Sequence, residues 1–279
     1  MKSLRWAVSL SECASNKNFE ELLRRSFLCV TEDDVAQQHE FHYRDDSLAC
    51  LVGRLLARCA AATSLSLNWS QVGFGRTSRG KPFVASHPDG YHFNVSHQGD
   101  FVVLASSSCP VGVDVMKVDE SRCSSASAQI QRLERQFTAL ELRTVRNPAN
   151  NSLRWRAFYR IWCLKESVLK ATGIGLATNL RDYEFVVDRQ THEPGCFITS
   201  TKFLMEKELQ EDFIFEESFV DQHHCVAVAT NGSVPPIGNE FQRISLDFLL
   251  KDAEFINISP DLNDMDELDS FLAKPNKHF

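Results

Sequence analysis

Two long stretches repeat apolar residues every three to four positions, and short apolar runs surround them. The first predicts a helix over 45–61, with Leu48, Leu51, Val52, Leu55, Leu56 and Cys59 on one stripe. The second predicts a helix over 153–172, carrying Leu153, Phe158, Ile161, Trp162, Leu164, Val168 and Leu169 and stopped by Gly173 and Gly175. Shorter helices are expected over 18–27 and 133–146. Strand-like runs occupy 91–95 and 101–105, divided by the polar Ser96-His97-Gln98-Gly99-Asp100, so the pair reads as a hairpin with His97 in its turn. Further strands are expected at 111–116, 183–187, 213–216 and 225–229, and Gly73 to Pro82 reads as a loop.

This order places strand and helix material on both sides of a serine- and charge-rich stretch, 118–129, which reads as a linker. The expectation is an α+β protein of two similar halves, residues 1–117 and 118–235. Pro235-Pro236 ends the body, and 236–279 is an acidic tail expected to be partly disordered.

Composition narrows the class. With 279 residues, 43% hydrophobic and 24% charged, the chain has an ordinary globular make-up. No run approaches the roughly 20 apolar residues of a membrane span, and the first ten residues make a poor signal peptide. The expectation is no membrane partner and a cytosolic location. Nine cysteines, with no C-x-x-C pair, argue against a disulfide framework or a zinc site and fit a reducing compartment. A net charge of −7 argues against nucleic acid. From Glu240 onward nine acidic residues face four basic ones, so the body is close to neutral, with room for local basic clusters.

Candidate chemistry is scattered. Asp114 lies within an apolar strand, which is costly for a carboxylate without a partner or a metal. Glu166 and Lys170 are four apart and share a helix face with Trp162; alone they would be a surface pair of about 0.3–0.5 kcal/mol. Arg54 and Arg58 share a flank that reads as a solvated edge. Arg76, Arg79 and Lys81 crowd one loop. Two carboxylates from separate segments can share one hard cation, and Mg²⁺ usually takes one or two carboxylates plus substrate phosphates. Cations at Arg76, Arg79, Lys81 and Lys170 could hold those phosphates. The set predicts a site for a diphosphate-containing ligand without saying which. A non-catalytic binder would keep the basic loop and lose a carboxylate, and an interaction domain would act through the tail. The presence of both carboxylates favours an enzyme.

The motifs add a resemblance. Gly112-Val113-Asp114 and Trp162-Cys163-Leu164-Lys165-Glu166, preceded by Gly80-Lys81-Pro82 and Phe93-Asn94-Val95-Ser96-His97, resemble in type and order the phosphopantetheinyl transferase superfamily, in its larger form with two halves in one chain. The resemblance covers roughly residues 4–230 and leaves the tail outside.

It implies two α+β halves related by a pseudo-twofold, the 4'-phosphopantetheinyl transferase fold, with the site in the cleft between them. It implies Mg²⁺-dependent transfer of the 4'-phosphopantetheine arm of coenzyme A to a serine of acyl or peptidyl carrier protein domains, of fatty acid synthase and aminoadipate dehydrogenase type. Asp114 and Glu166 match the metal ligands. Arg76, Thr77, Ser78, Arg79, Gly80 and Lys81 match the loop for the nucleotide end of coenzyme A. Asn94, Val95, Ser96 and His97 match a second contact, with His97 beside a phosphate, and Glu166 with Lys170 the helix face for metal and phosphate. Glu166, Asp114, Lys170 and His97 thus form the expected catalytic set, with Glu166 as base. Arg44 is the candidate for the adenine-ribose phosphate. Many relatives have an acid where this chain has Met116, a thioether that a hard cation does not choose; water or the Val115 carbonyl would take that place. Carriers are often acidic, so a near-neutral body needs a local basic or apolar patch to dock one. One chain holding both halves implies a monomer.

Overall fold

The computed structural model describes residues 2–175, 179–188, 192–238, 240–257 and 264–276. A fully buried strand, β1 (Arg5–Ser9), is followed by helices α1 (Leu10–Ala14), α2 (Phe19–Leu28) and α3 (Glu32–His39). A capping box between Thr31 and Asp34 starts α3. Helix α4 (Arg44–Leu65) is apolar enough in length and composition to cross a membrane, but Leu51, Val52, Leu55 and Leu56 are at most 1% exposed, so it is a core helix here. Two hairpins follow, β2 (Phe74–Arg76) with β3 (Pro82–Val84), then β4 (His92–Gln98) with β5 (Phe101–Ser107). Strand β6 (Val111–Lys117) leads to α5 (Ala126–Arg132), α6 (Ala139–Arg146) and α7 (Asn151–Thr172). Gly173, at φ +66°, ends α7 in the left-handed conformation. Strands β7 (Tyr183–Val186), β8 (Lys202–Met205) and β9 (Glu208–Leu209) form a small sheet, and β10 (Phe213–Phe219) pairs with β11 (His224–Asn231). The chain returns through β12 (Gln242–Arg243), α8 (Leu246–Leu250) and α9 (Asp264–Ala273).

The α+β class is as expected, and the halves repeat in outline. Each has a 22-residue helix, α4 or α7, then a small antiparallel unit, then a long hairpin, β4–β5 or β10–β11. Each then sends a strand into the other sheet. β6 pairs antiparallel with β11, and β12 pairs parallel with β1. The sheets are therefore β12-β1-β5-β4 and β10-β11-β6.

Several expectations shift. Strand β6, counted with the first half in the sequence, hydrogen-bonds with β11 in the second sheet. Within the described residues of the acidic end, Leu246, Leu249, Leu250, Leu268 and Phe271 are buried in the core of the first half. The stretch read as linker already turns helical at Ala126, capped by the Ser125 hydroxyl. The helix expected over 133–146 is interrupted, since a capping box of Thr138 and Glu141 restarts the chain as α6. Arg58 is buried, not solvated. It donates to the Trp69 carbonyl at 3.1 Å and the Val72 carbonyl, and lies over the Trp69 and Phe74 rings. Arg54 pairs with Asp34 at 3.0 Å. Arg44 donates to the Leu272 carbonyl and lies 5.9 Å from the Phe271 ring centroid, so the returning tail engages it.

Helix α7 packs on β6 so closely that a Cβ at Gly112 would lie 2.1 Å from the Ser167 carbonyl and 2.2 Å from the Ala171 nitrogen. Only glycine permits that approach, which seats α7 across the strand that carries Asp114.

Candidate functional site

The site is built where β4, β6 and α7 meet. Side chains at alternate positions of β4 accept hydrogen bonds from alternate amides of β6. Asn94 Oδ1 accepts from Val113 at 2.9 Å, Ser96 Oγ from Val115 at 3.4 Å, and Gln98 Oε1 from Lys117. Period-two alternation places all three on one face of β4, so this row of side chains joins the two halves.

Asp114, 4% exposed, sits mid-strand in β6. Its Oδ1 accepts from Ser96 Oγ at 2.9 Å and from Lys170 Nζ at 2.6 Å, and Lys170 also donates to Ser96 at 2.7 Å. The other oxygen, Oδ2, is buried without a hydrogen-bond partner among the described residues. Below the strand, Cys163 Sγ donates to the Asp114 carbonyl at 2.9 Å. Glu166 lies one turn before Lys170 on α7, and its carboxyl is pushed above its usual range, first by burial and then by the Asp114 charge, with Lys170 opposing. Asp114, Glu166, Lys170 and Ser96 thus come together. Glu166 is close enough to feel the Asp114 charge, and Asp114 Oδ2 is left without a hydrogen bond.

Other predicted residues are distributed around this centre. Thr77 to Gly80 form an exposed tight turn, with Gly80 at φ +83° and its amide donating to the Thr77 carbonyl at 2.8 Å. Arg76 is exposed and donates to the Gly80 carbonyl at 3.0 Å, while Ser78 and Arg79 face solvent. Lys81 is half-buried and anchors the turn to the site, donating to the carbonyls of Ala171 at 2.6 Å and Val111 at 3.1 Å. Burial lowers its pKa to about 8. His97 is not in the turn: it belongs to β4, exposed, on the strand face opposite Ser96. Val95 faces α4, where a Cβ on Gly53 would lie 3.4 Å from its Cγ1. The side chains of Asn94 and Ser96 are committed to β6, a structural duty that sequence reasoning missed.

Among the described residues no three His, Cys, Asp or Glu side chains converge as a metal site; the chain brings two carboxylates. That donor set fits Mg²⁺ bound partly by substrate phosphate, and the unpartnered Asp114 oxygen fits a missing positive ligand.

Comparison with known proteins completes the case. Residues 16–109 match the family model for the N-terminal part of 4'-phosphopantetheinyl transferase, and residues 110–229 match the 4'-phosphopantetheinyl transferase superfamily. The chain belongs to the phosphopantetheinyl transferase superfamily. It is 38% identical over 235 residues to an L-aminoadipate-semialdehyde dehydrogenase-phosphopantetheinyl transferase of Xenopus laevis, covering 82% of this chain and 76% of the frog protein. The human protein of that name is 34% identical over 234 residues, covering 82% and 75%. A 4'-phosphopantetheinyl transferase of Bacillus subtilis is 30% identical over 159 residues, covering 57% and 67%.

As a transferase of this family, the chain moves 4'-phosphopantetheine from coenzyme A to carrier proteins. Its Trp-x-x-Lys-Glu stretch has two environments. Glu166 is partly exposed near Asp114 and Lys170, whereas Lys165, 1% exposed, is turned inward onto Glu141 at 2.9 Å and the carbonyls of Leu180 and Tyr183. Met116 pairs with Cys225 on β11 and packs against the second core, so its side chain is used for packing.

Proposed function

We propose that the transfer is Mg²⁺-dependent and runs at Asp114, Glu166 and Lys170. The observation that carries this reading is the buried, unpartnered Oδ2 of Asp114 beside a second carboxylate and a lysine. Asp114 and Glu166 would hold Mg²⁺, which when bound offsets charge on the diphosphate of coenzyme A. Lys170 supplies a further cation at the same point. The turn from Arg76 to Lys81, with His97, takes the nucleotide end.

The carrier serine oxygen forms the new bond to the β-phosphorus of coenzyme A as the bond to the leaving phosphate breaks. Adenosine 3′,5′-bisphosphate departs with that bonding pair. Glu166 takes the serine proton.

The acceptors are acyl or peptidyl carrier domains, including those of fatty acid synthase and aminoadipate dehydrogenase type. One chain holds both family-matched halves, which supports a monomer. The nine cysteines are free, which supports a cytosolic location. The test is to mix the protein with coenzyme A, Mg²⁺ and an apo carrier domain and read the carrier by intact mass spectrometry. One added phosphopantetheine, lost on chelation of Mg²⁺, is the expected result. An unmodified carrier, or equal transfer in excess chelator, overturns the reading.

A further inference from the structure

Away from the polar site, α6, the first half of α7 and the end of β7 line a groove with a cavity volume of about 1300 Å³. Its α7 residues, Leu153, Arg156, Ala157, Arg160 and Ile161, project on average roughly 150° around the helix from Glu166. The groove therefore opens on the side of α7 opposite the polar site. Its floor is apolar. Leu153, Ala157 and Ile161 contribute from α7, Leu140 and Leu142 from α6, and Val187 from the strand end. Leu153 stays 37% exposed there. From Leu153 to Ile161 the apolar strip runs roughly 12 Å along the helix axis.

The rim is basic, and part of its charge is already used. Arg143, Arg146, Arg156 and Arg160 line the groove with one carboxylate, Asp188. Arg146 pairs with Glu134 at 3.1 Å and Arg160 with Glu217 at 2.6 Å. Arg143 and Arg156 have no ion pair among the described residues. Counting the carboxylates of Glu134 and Glu217, the described rim keeps one net positive charge. That balance suits a single anionic head and not a row of carboxylates. A guanidinium fork matches a carboxylate through two parallel hydrogen bonds. The volume exceeds the roughly 300–1,000 Å³ of usual small-molecule sites, which favours an elongated occupant. An apolar strip beside unpaired arginines has the chemistry to hold an aliphatic chain that ends in one carboxylate.

We propose that this groove binds a long-chain aliphatic carboxylate, its chain along Leu153, Ala157 and Ile161 and its head taken by Arg143 and Arg156. The site is separate from the transfer chemistry and does not depend on it. The experiment titrates octanoate, decanoate and dodecanoate, each below the concentration at which it forms micelles, into the full chain by calorimetry. Coenzyme A is kept saturating throughout, and decanol serves as the uncharged chain. One site is expected, tightening about twofold to fourfold per added methylene. Decanol should bind at least about tenfold more weakly than decanoate. Arg143→Gln/Arg156→Gln and Leu153→Asp, shown to fold by circular dichroism, should each weaken dodecanoate about tenfold or more and leave the affinity for coenzyme A unchanged. Absence of binding below the micelle concentration would overturn the proposal. So would equal binding of decanol, loss of dodecanoate on adding coenzyme A, or wild-type affinity in both folded variants.

Discussion

Helix α7 carries two lysine–carboxylate pairs little more than one turn apart, and they are built in opposite ways. Lys165 and Glu141 are both fully buried. The three donors of Lys165 go to Glu141, Leu180 and Tyr183, and Glu141 also accepts from the Thr138 and Phe185 amides. Burial pushes Glu141 up and Lys165 down, and their mutual attraction opposes both shifts. Lys170 and Asp114 form the open pair. Lys170 is 29% exposed, one Asp114 oxygen has no partner, and Glu166 adds a second carboxyl group. Similar charges on neighbouring turns are therefore sealed in the core at Lys165 and left partly open to solvent at Lys170.

The comparison breaks most directly at the closed pair. Lys165→Ala or Glu141→Ala should each cost about 3–5 kcal/mol in urea unfolding, because the remaining charge is buried alone. The double change Lys165→Met/Glu141→Leu should cost less than either. A single variant losing under about 1 kcal/mol would show that Lys165 does not fix the helix. At the open pair the effect moves from stability to activity. Glu166→Gln should lower transfer by roughly 10²–10⁴-fold. Its melting temperature should be equal or higher, since a desolvated carboxyl repelled by Asp114 is gone. Unchanged turnover would remove Glu166 from the chemistry.

A third contrast sharpens the closed side. His192, packed 4.6 Å from the Phe219 ring near Arg160 and Glu217, has its pKa lowered to about 4, first by burial. Below its ordinary value of 6.5 the unfolded chain takes a proton that the folded chain refuses, so stability falls as pH drops from 6.5 toward 4. The loss should be about 3 kcal/mol over that window, and His192→Asn should flatten it in unfolding curves at several pH values.

The smallest effect concerns the hairpin that bears His97. His224 accepts from the Asp100 amide at 3.2 Å through Nε2, while its Nδ1 bonds Asp221 at 2.9 Å. Gly99 leaves room for this ring, since a Cβ there would lie 2.3 Å from Nε2. His224→Phe should raise the KM for coenzyme A about fivefold with kcat little changed, and His224→Gln should recover part of it.

What was legible in the sequence follows the same division. The stripes of α4 and α7 set those helices to within a residue or two at most ends, because a long apolar period is a local signal. Asp114, Glu166 and Lys170 could be named because short motifs surround them. The exchange of β6 and β12 between the sheets left no local mark, since strand pairing joins residues remote along the chain. Acidity made the tail look disordered, although Leu246, Leu249, Leu250, Leu268 and Phe271 were there to be read as a core face. His97 was assigned to a turn because β4 is polar on the face that meets β6. Lys165 and Arg58 reveal their burial only once their carbonyl and carboxylate partners are in place.

The central claim is that Asp114 and Glu166 jointly hold a divalent cation against the diphosphate of coenzyme A. Calorimetric titration of coenzyme A into wild type, Asp114→Asn and Glu166→Gln, each with and without Mg²⁺, tests it directly. The account predicts that Mg²⁺ tightens binding to the wild type and not to either variant, while metal-free binding remains in all three. The same Mg²⁺ enhancement in Asp114→Asn as in the wild type would contradict it.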